Sequence, residues 1–306
     1  MNHECIIVGG GPAGLSAGLY MAKAGMKVVL YEGTTPGGQI LSTDKVDNML
    51  GFGEIEAWQL ADKMIAHAKE SGLEIVSERV AAVGVDGAQK YARLASGGTV
   101  TAPTLILACG GTPRKLGVPG ELELGHGKGV SYCAVCDGGF FKGKDVAISG
   151  GGDAAATEAH HLAHLVNHVT IIHRRDAWRA KPNLVERMLA LDNVTAVLDS
   201  VVESVEGADA VTGVKVRNVK TGAVSEIPAQ GFFVAIGFIP NSGIFEGEIE
   251  RDDEGFIVTD ARMRTSVPGV FATGDVRSNV GRQIAISVGD GAAAALSVSH
   301  FLGEGS

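Results

Sequence analysis

The sequence predicts an α/β protein with two copies of one nucleotide-binding unit, and three observations carry that prediction. Glycine is abundant, at 44 of 306 residues, while aromatics make up only 5%, which suits closely packed strand–turn–helix units. A strand, glycine turn, helix, strand pattern opens the chain and recurs near its middle. Between the copies lies a short dithiol motif, Cys133-Ala134-Val135-Cys136, followed at once by Asp137.

The first copy starts with the apolar run Cys5-Ile6-Ile7-Val8. Gly9-Gly10-Gly11-Pro12-Ala13-Gly14 follows, then a helical apolar pattern over Leu15–Ala24, Gly25 as its stop, and a strand over Lys27–Tyr31. A GxGxxG run placed after a strand and opening a helix is a dinucleotide-binding fingerprint. Its glycines let the backbone approach a pyrophosphate, whose charge meets the N–H groups at the helix start. Glu32 ends the second strand, where a carboxylate accepts hydrogen bonds from ribose hydroxyls.

The second copy runs from the strand Val146–Ser149 through Gly150-Gly151-Gly152-Asp153-Ala154-Ala155. A helix of about Ala155–Val166 and a strand Val169–Ile172 complete it. The interval from Gly150 to His173 equals that from Gly9 to Glu32, so the two units are in register. Where the first has an acid, the second has His173-Arg174-Arg175, with Arg179 a turn further on. A carboxylate repels a 2′-phosphate, whereas arginines grip one through forked hydrogen bonds. The first unit therefore suits an adenine dinucleotide with a free 2′-hydroxyl, and the second favours NADPH over NADH. His160, His164 and His168 have spacing permissive for a metal, but no carboxylate or cysteine joins them, so they read as a polar helix face over Leu162, Ala163, Leu165 and Val166.

The dithiol fits either redox chemistry or half of a zinc site. Zinc needs a second pair at similar spacing, and the remaining cysteines, Cys5 and Cys109, are single, distant and placed in apolar runs that read as strands. Redox is the reading adopted. A net charge of −9 argues against a nucleic-acid surface. No basic segment precedes an apolar one at the N-terminus, and runs such as 232–239 are too short to span a bilayer, so a soluble, cytoplasmic protein without membrane attachment is expected.

The N-terminal GGGPAG, the central CAVCD, GGGDAA with HRRDAWRA, and a C-terminal FATGD followed by Arg282-Gln283 occur in the order seen in the low-molecular-weight bacterial thioredoxin reductases, which the chain resembles over essentially its whole length. These are FAD-dependent pyridine nucleotide-disulfide oxidoreductases. The resemblance implies two Rossmann-like domains, an NADPH domain over 116–240 inserted into a discontinuous FAD domain over 1–115 and 241–306. It implies that Gly9, Gly11, Pro12, Ala13 and Gly14 hold the FAD pyrophosphate and Glu32 its ribose. Gly38, Gln39 and Asn48 would line the flavin, Asp275 after Gly274 would hold a ribityl hydroxyl, and Arg282, Gln283 and Ile284 would meet the flavin side. Gly150, Gly152, Asp153, Ala154 and Glu158 would contact the NADPH diphosphate and nicotinamide, with His173, Arg174, Arg175 and Arg179 on the adenosine phosphate.

On the same resemblance, reducing equivalents pass from NADPH through FAD to the Cys133–Cys136 disulfide and on to thioredoxin or a thioredoxin-like protein, in a homodimer. Cys136 would lie nearest the flavin and Cys133 would attack the partner. Asp137 is either a proton carrier or a turn residue before Gly138-Gly139. Other acceptors fit the same frame: a glutaredoxin-like or peroxiredoxin-system protein, or oxygen in a small-molecule dithiol oxidase. The chain departs from the family at Asn48-Met49-Leu50-Gly51, at Cys109-Gly110-Gly111 and at Thr157 before Glu158.

Overall fold

The computed structural model describes residues 3–279 and 281–304. The chain forms two compact units, one built from residues up to Thr112 and from Ile239 onward, the other from Pro113–Phe238. The two chain crossovers, Gly111–Pro113 and Phe238–Pro240, pair as a two-stranded ribbon.

In the first unit five parallel strands run in the order Val270–Ala272, Thr104–Leu107, Cys5–Val8, Val28–Glu32, Glu74–Ser77. All four residues of Cys5–Val8 are buried, as expected of a strand covered on both faces. The period of two then sorts them. Cys5 and Ile7 pack with Leu15, Met21, Ala294 and Val298 of the helices Pro12–Lys23 and Ile284–Glu304. Ile6 and Val8 pack with Val83 and Ala92 of an antiparallel sheet formed by Val80–Asp86, Gln89–Leu94 and Thr99–Ala102. Helices, parallel sheet and antiparallel sheet make the three layers.

The second unit repeats the plan. Its parallel strands run Val130–Ser131, Gly231–Val234, Asp145–Ser149, His168–Ile172, Val194–Val197. Val146 and Ile148 face the helices Asp153–Ala163 and Pro182–Leu189, while Ala147 faces the antiparallel strands Ser200–Gly207 and Val211–Asn218 through Val202, Val214 and Val216.

Several boundaries differ from expectation. The first helix begins at Pro12, whose fixed φ and missing N–H suit the first helical position. The second unit's helix spans Asp153–Ala163, and His168 belongs to the following strand, so the histidines do not form one helical face. Cys109 lies beyond the end of its strand at Leu107. The expectation that no apolar run is long enough for a bilayer fails for Ile284–Gly303, a 20-residue stretch of mean hydropathy 1.3. That helix lies against the first one: Ser16 Oγ donates to the Val288 carbonyl at 2.7 Å, and a Cβ on Gly291 would stand 2.2 Å from the Ala13 carbonyl oxygen. One face of it thus covers a helix of the same unit.

Candidate functional site

Close backbone approach shapes the first glycine turn. Gly9 has φ +107°, and a Cβ there would lie 2.3 Å from the Ala108 carbonyl oxygen. A Cβ on Gly14 would lie 1.9 Å from the Gly9 carbonyl oxygen, so this glycine lets the helix seat on the strand. Gly11 is different: its φ of −75° and ψ of −178° suit any residue, and the nearest atom to a Cβ is 3.8 Å away. Space has been left beside the helix N-terminus. Glu32 borders the turn, one carboxylate oxygen accepting from Gly10 N at 2.7 Å and the other from Thr34 N at 2.9 Å and Thr34 Oγ1 at 3.0 Å.

Distant segments converge on this turn. Gly38, at φ +59°, comes close enough to Gly11 that a Cβ would lie 3.0 Å from its Cα. Gly274, at φ +71°, approaches Ala13, whose Cβ would be 2.9 Å from a Cβ at 274. Gln39 Nε2 donates to the Gly111 carbonyl at 2.9 Å, and Asn48 Nδ2 to Gln283 Oε1 at 3.3 Å. The Arg282 guanidinium sits 4.9 Å from the centre of the Phe256 ring, and Ile284 opens the last helix.

Asp275 is the exceptional group here. Its Oδ1 is buried with no hydrogen-bond partner among the described residues. Burial pushes its carboxyl above the ordinary value, Arg282 counters that shift, and Asp290 adds to it. A buried, unsatisfied acceptor is costly, and an incoming hydroxyl would satisfy it. A second carboxylate fixes the same segment: Asp290 takes Arg277 Nε at 2.7 Å and Arg277 Nη2 at 3.0 Å, and accepts Gly274 N at 3.2 Å. Thr34, Arg277 and Asp290 were not identified from the sequence. Their roles lie in side-chain contacts across long intervals, which no local motif signals.

In the second unit a Cβ on Gly150 would meet the Ala235 carbonyl oxygen at 2.4 Å, and one on Gly151 would meet the His173 ring at 2.1 Å. His173 is turned inward. It is buried, stacked on Trp178 with ring centroids 5.2 Å apart, and its Nε2 lies 3.1 Å from the Ala177 carbonyl oxygen. Burial lowers its affinity for a proton, and the neighbouring arginines add to that effect. The ring thus packs against Gly151 of the turn, at the position where the sequence predicts a phosphate contact. Arg174, Arg175 and Arg179 are exposed, and the Arg179 guanidinium reaches to 3.1 Å from where a Cβ of Gly152 would be. Asp153 Oδ1 accepts Lys181 N at 2.8 Å, tying the helix start to the far end of this loop. Ala154 is exposed and Glu158 half-buried on the same helix.

Cys133 and Cys136 are joined by a disulfide, with Cα atoms 5.3 Å apart. The short helix Ala134–Asp137 holds them, and Cys136 N donates to Cys133 Sγ at 3.2 Å. Ser131 Oγ donates to Asp137 Oδ2 at 2.6 Å and accepts Cys133 N at 3.1 Å, so one buried hydroxyl ties the carboxylate to the dithiol. Behind it, buried Glu121 accepts Tyr132 OH, Leu116 N and Gly117 N. The other two thiols are poor nucleophiles: burial pushes both Cys5 and Cys109 up to about 12. Among the described residues no group of three or more His, Cys, Asp or Glu side chains is placed to hold a metal.

Residues 3–291 match the model of the pyridine nucleotide-disulphide oxidoreductases. A thioredoxin reductase of Streptomyces coelicolor is 42% identical over 98% of this chain and 94% of its own. The crystal structure of thioredoxin reductase from Streptococcus pyogenes superposes with a TM-score of 0.93 at 40% identity, covering 99% of this chain and 98% of that one. Thioredoxin reductase from Giardia duodenalis gives 0.94 at 33% identity over 99% of both chains.

Proposed function

The chain belongs to the pyridine nucleotide-disulphide oxidoreductase family, and from that premise we propose that it is an FAD-dependent enzyme that uses NADPH to reduce the disulfide of a thioredoxin or thioredoxin-like protein. It is an oxidoreductase acting on a disulfide; the cofactors and the acceptor are the proposed part. The observation that carries the reading is the Cys133–Cys136 disulfide in a chain with two nucleotide turns of opposite ribose chemistry.

The residues present fit both cofactors. The open space at Gly11 and the orphaned Asp275 oxygen support a bound FAD, held by the Gly9–Gly14 turn, Glu32, Gly38, Gln39, Asn48, Gly274, Asp275 and the 282–284 segment. The turn at Gly150–Ala154, Glu158 and the exposed arginines support NADPH. When bound, FAD and NADPH would supply the two-electron reduction that a nicotinamide alone does not readily deliver to a disulfide.

With two electrons and two protons delivered, the Cys133–Cys136 bond opens to two thiols. The hydrogen bond from Cys136 N favours the thiolate of Cys133, which supports Cys133 as the attacking sulfur. Its attack on the partner's disulfide releases one partner thiolate and forms a mixed disulfide. Cys136 then attacks the Cys133 sulfur, releases the second partner thiolate and restores the internal bond. In this reading Asp137, which accepts a hydrogen bond from Ser131, holds or passes the proton. The family resemblance also supports a cytoplasmic homodimer.

The test is NADPH oxidation by the purified protein against a panel of thioredoxins and glutaredoxins from its own host. Turnover with a thioredoxin supports the reading. Turnover with glutaredoxins alone, or with oxygen and no protein acceptor, would replace it.

A further inference from the structure

Residues 173–179 contain one acid, Asp176, directly after Arg175. An exposed carboxylate in that position opposes the binding of any phosphate the arginines collect. The structure answers it with a lysine from another part of the second unit. Lys220 Nζ lies 2.9 Å from Asp176 Oδ2 and 3.0 Å from Asp199 Oδ2.

Lys220 is presented by a built turn. Asn218 Oδ1 accepts both Lys220 N and Thr221 N at 3.0 Å, and the Asn218 carbonyl accepts Gly222 N at 2.9 Å. Asp199 joins turn to loop. Its N–H donates to the Arg175 carbonyl at 3.2 Å, and its carbonyl accepts Val219 N at 2.7 Å. To do so it adopts φ +51°, a left-handed conformation uncommon outside glycine but most tolerated by Asn and Asp. Its side chain is the most enclosed of the three, at 19% exposure. The lysine–aspartate bond also holds the Asp176 carboxyl below its ordinary value, so the pair is charged at neutral pH. Exposed ion pairs contribute little to stability, so stability does not account for this arrangement. Its consequence is electrostatic: the lysine offsets part of the charge of Asp176 and Asp199, leaving the trio one unit negative in place of two, while the Asp199 N–H fixes the loop's backbone at Arg175.

We propose that Lys220 is a specificity-determining positioning residue, offsetting the charge of Asp176 and tying its side chain to Asp199 so that Arg174, Arg175 and Arg179 meet a 2′-phosphate. The proposal rests on the reading that these arginines select NADPH.

The experiment compares KM for NADPH and NADH in the FAD-loaded enzyme at low and high salt, for the parent and five variants. Lys220→Met raises KM for NADPH about threefold to tenfold at low ionic strength, less at high salt, and leaves NADH use unchanged. Lys220→Arg, which keeps the charge, stays close to the parent. Asp176→Asn alone leaves or tightens NADPH binding, and added to Lys220→Met it restores KM. Arg175→Gln is the control for the arginine reading. If Arg175→Gln shifts the NADPH preference and Lys220→Met does not, the role of Lys220 is refuted while the reading stands. If Arg175→Gln has no effect on the preference, the reading fails and the proposal falls with it. Equal losses for both nucleotides with Lys220→Met, or failure of Asp176→Asn to restore KM, would also overturn the proposal.

Discussion

Gly11 and Gly14 belong to one turn, but the structure gives them different tasks, and alanine at each separates ligand approach from packing. At Gly14 the new Cβ would lie 1.9 Å from the Gly9 carbonyl oxygen and 3.3 Å from Ala108 Cβ. Carbon and oxygen rest no closer than about 3.3 Å, so backbone must move by more than an ångström. Overpacking of a core costs about 1–3 kcal/mol, and a backbone obstacle puts Gly14→Ala at or above the top of that range. Its melting temperature should fall by roughly 6–12 °C, on the scale for units of this size. At Gly11 the φ and ψ already suit alanine and no protein atom comes within 3.8 Å of the Cβ. Gly11→Ala should therefore leave the flavin-free protein unchanged or stabilise it by about 0.4–1 kcal/mol, by narrowing the unfolded ensemble. The methyl group would nevertheless occupy the space kept for the pyrophosphate, and FAD affinity should drop at least about tenfold, or ~1.4 kcal/mol. Thermal melting without FAD and flavin-fluorescence titration read the two effects separately. If Gly11→Ala bound FAD like the parent, or destabilised the flavin-free protein as much as Gly14→Ala, the cradle argument would be wrong.

Asp275→Asn should weaken FAD binding about 10–100-fold, through loss of a charged acceptor worth ~1.5–3 kcal/mol, as read by the same titration. The parent carboxyl is raised in the folded state, so its own contribution to flavin-free stability is greatest below the unfolded value near ~3.9 and is lost as pH rises through the folded one; the variant should lose less than the parent between pH 4 and 7 in denaturant melts. Replacing Arg174 or Arg179 should cost about 10–100-fold in kcat/KM for NADPH and little for NADH in steady-state assays; equal losses would make them structural. Cys133→Ser and Cys136→Ser should both abolish thioredoxin reduction while sparing reduction of the flavin. Only Cys136→Ser, which keeps Cys133, should trap a thioredoxin lacking its resolving cysteine, detected on a non-reducing gel; the opposite result would reverse the two roles.

The parallel strands and glycine turns were legible in the sequence because their signals are local: apolar runs, glycines at fixed spacing between strand and helix, and a charged residue at the next strand's end. The dithiol was legible for the same reason, two cysteines one helical turn apart. The long-range supports were not. Ser131 meets Asp137 only once the short helix folds back, Arg277 meets Asp290 across a loop, and Lys220 reaches Asp176 from a separate hairpin. His173 shows the limit most clearly. Its position beside two arginines suggests a phosphate contact, and nothing local signals that its ring also stacks on Trp178 and lies against the bare Gly151. The last helix was not singled out in the sequence: its packing on the first helix runs through close glycine and alanine contacts that hydropathy does not register.

The central claim is that electrons from NADPH open the bond between Cys133 and Cys136. Counting thiols tests it most directly. The oxidised protein, denatured under anaerobic conditions, should titrate with two thiols, from Cys5 and Cys109. After anaerobic incubation of the FAD-loaded protein with NADPH and the same quench, all four cysteines of the chain should titrate. A count that stays at two while NADPH is consumed would contradict the account, because the electrons would then be leaving by a route that bypasses the disulfide.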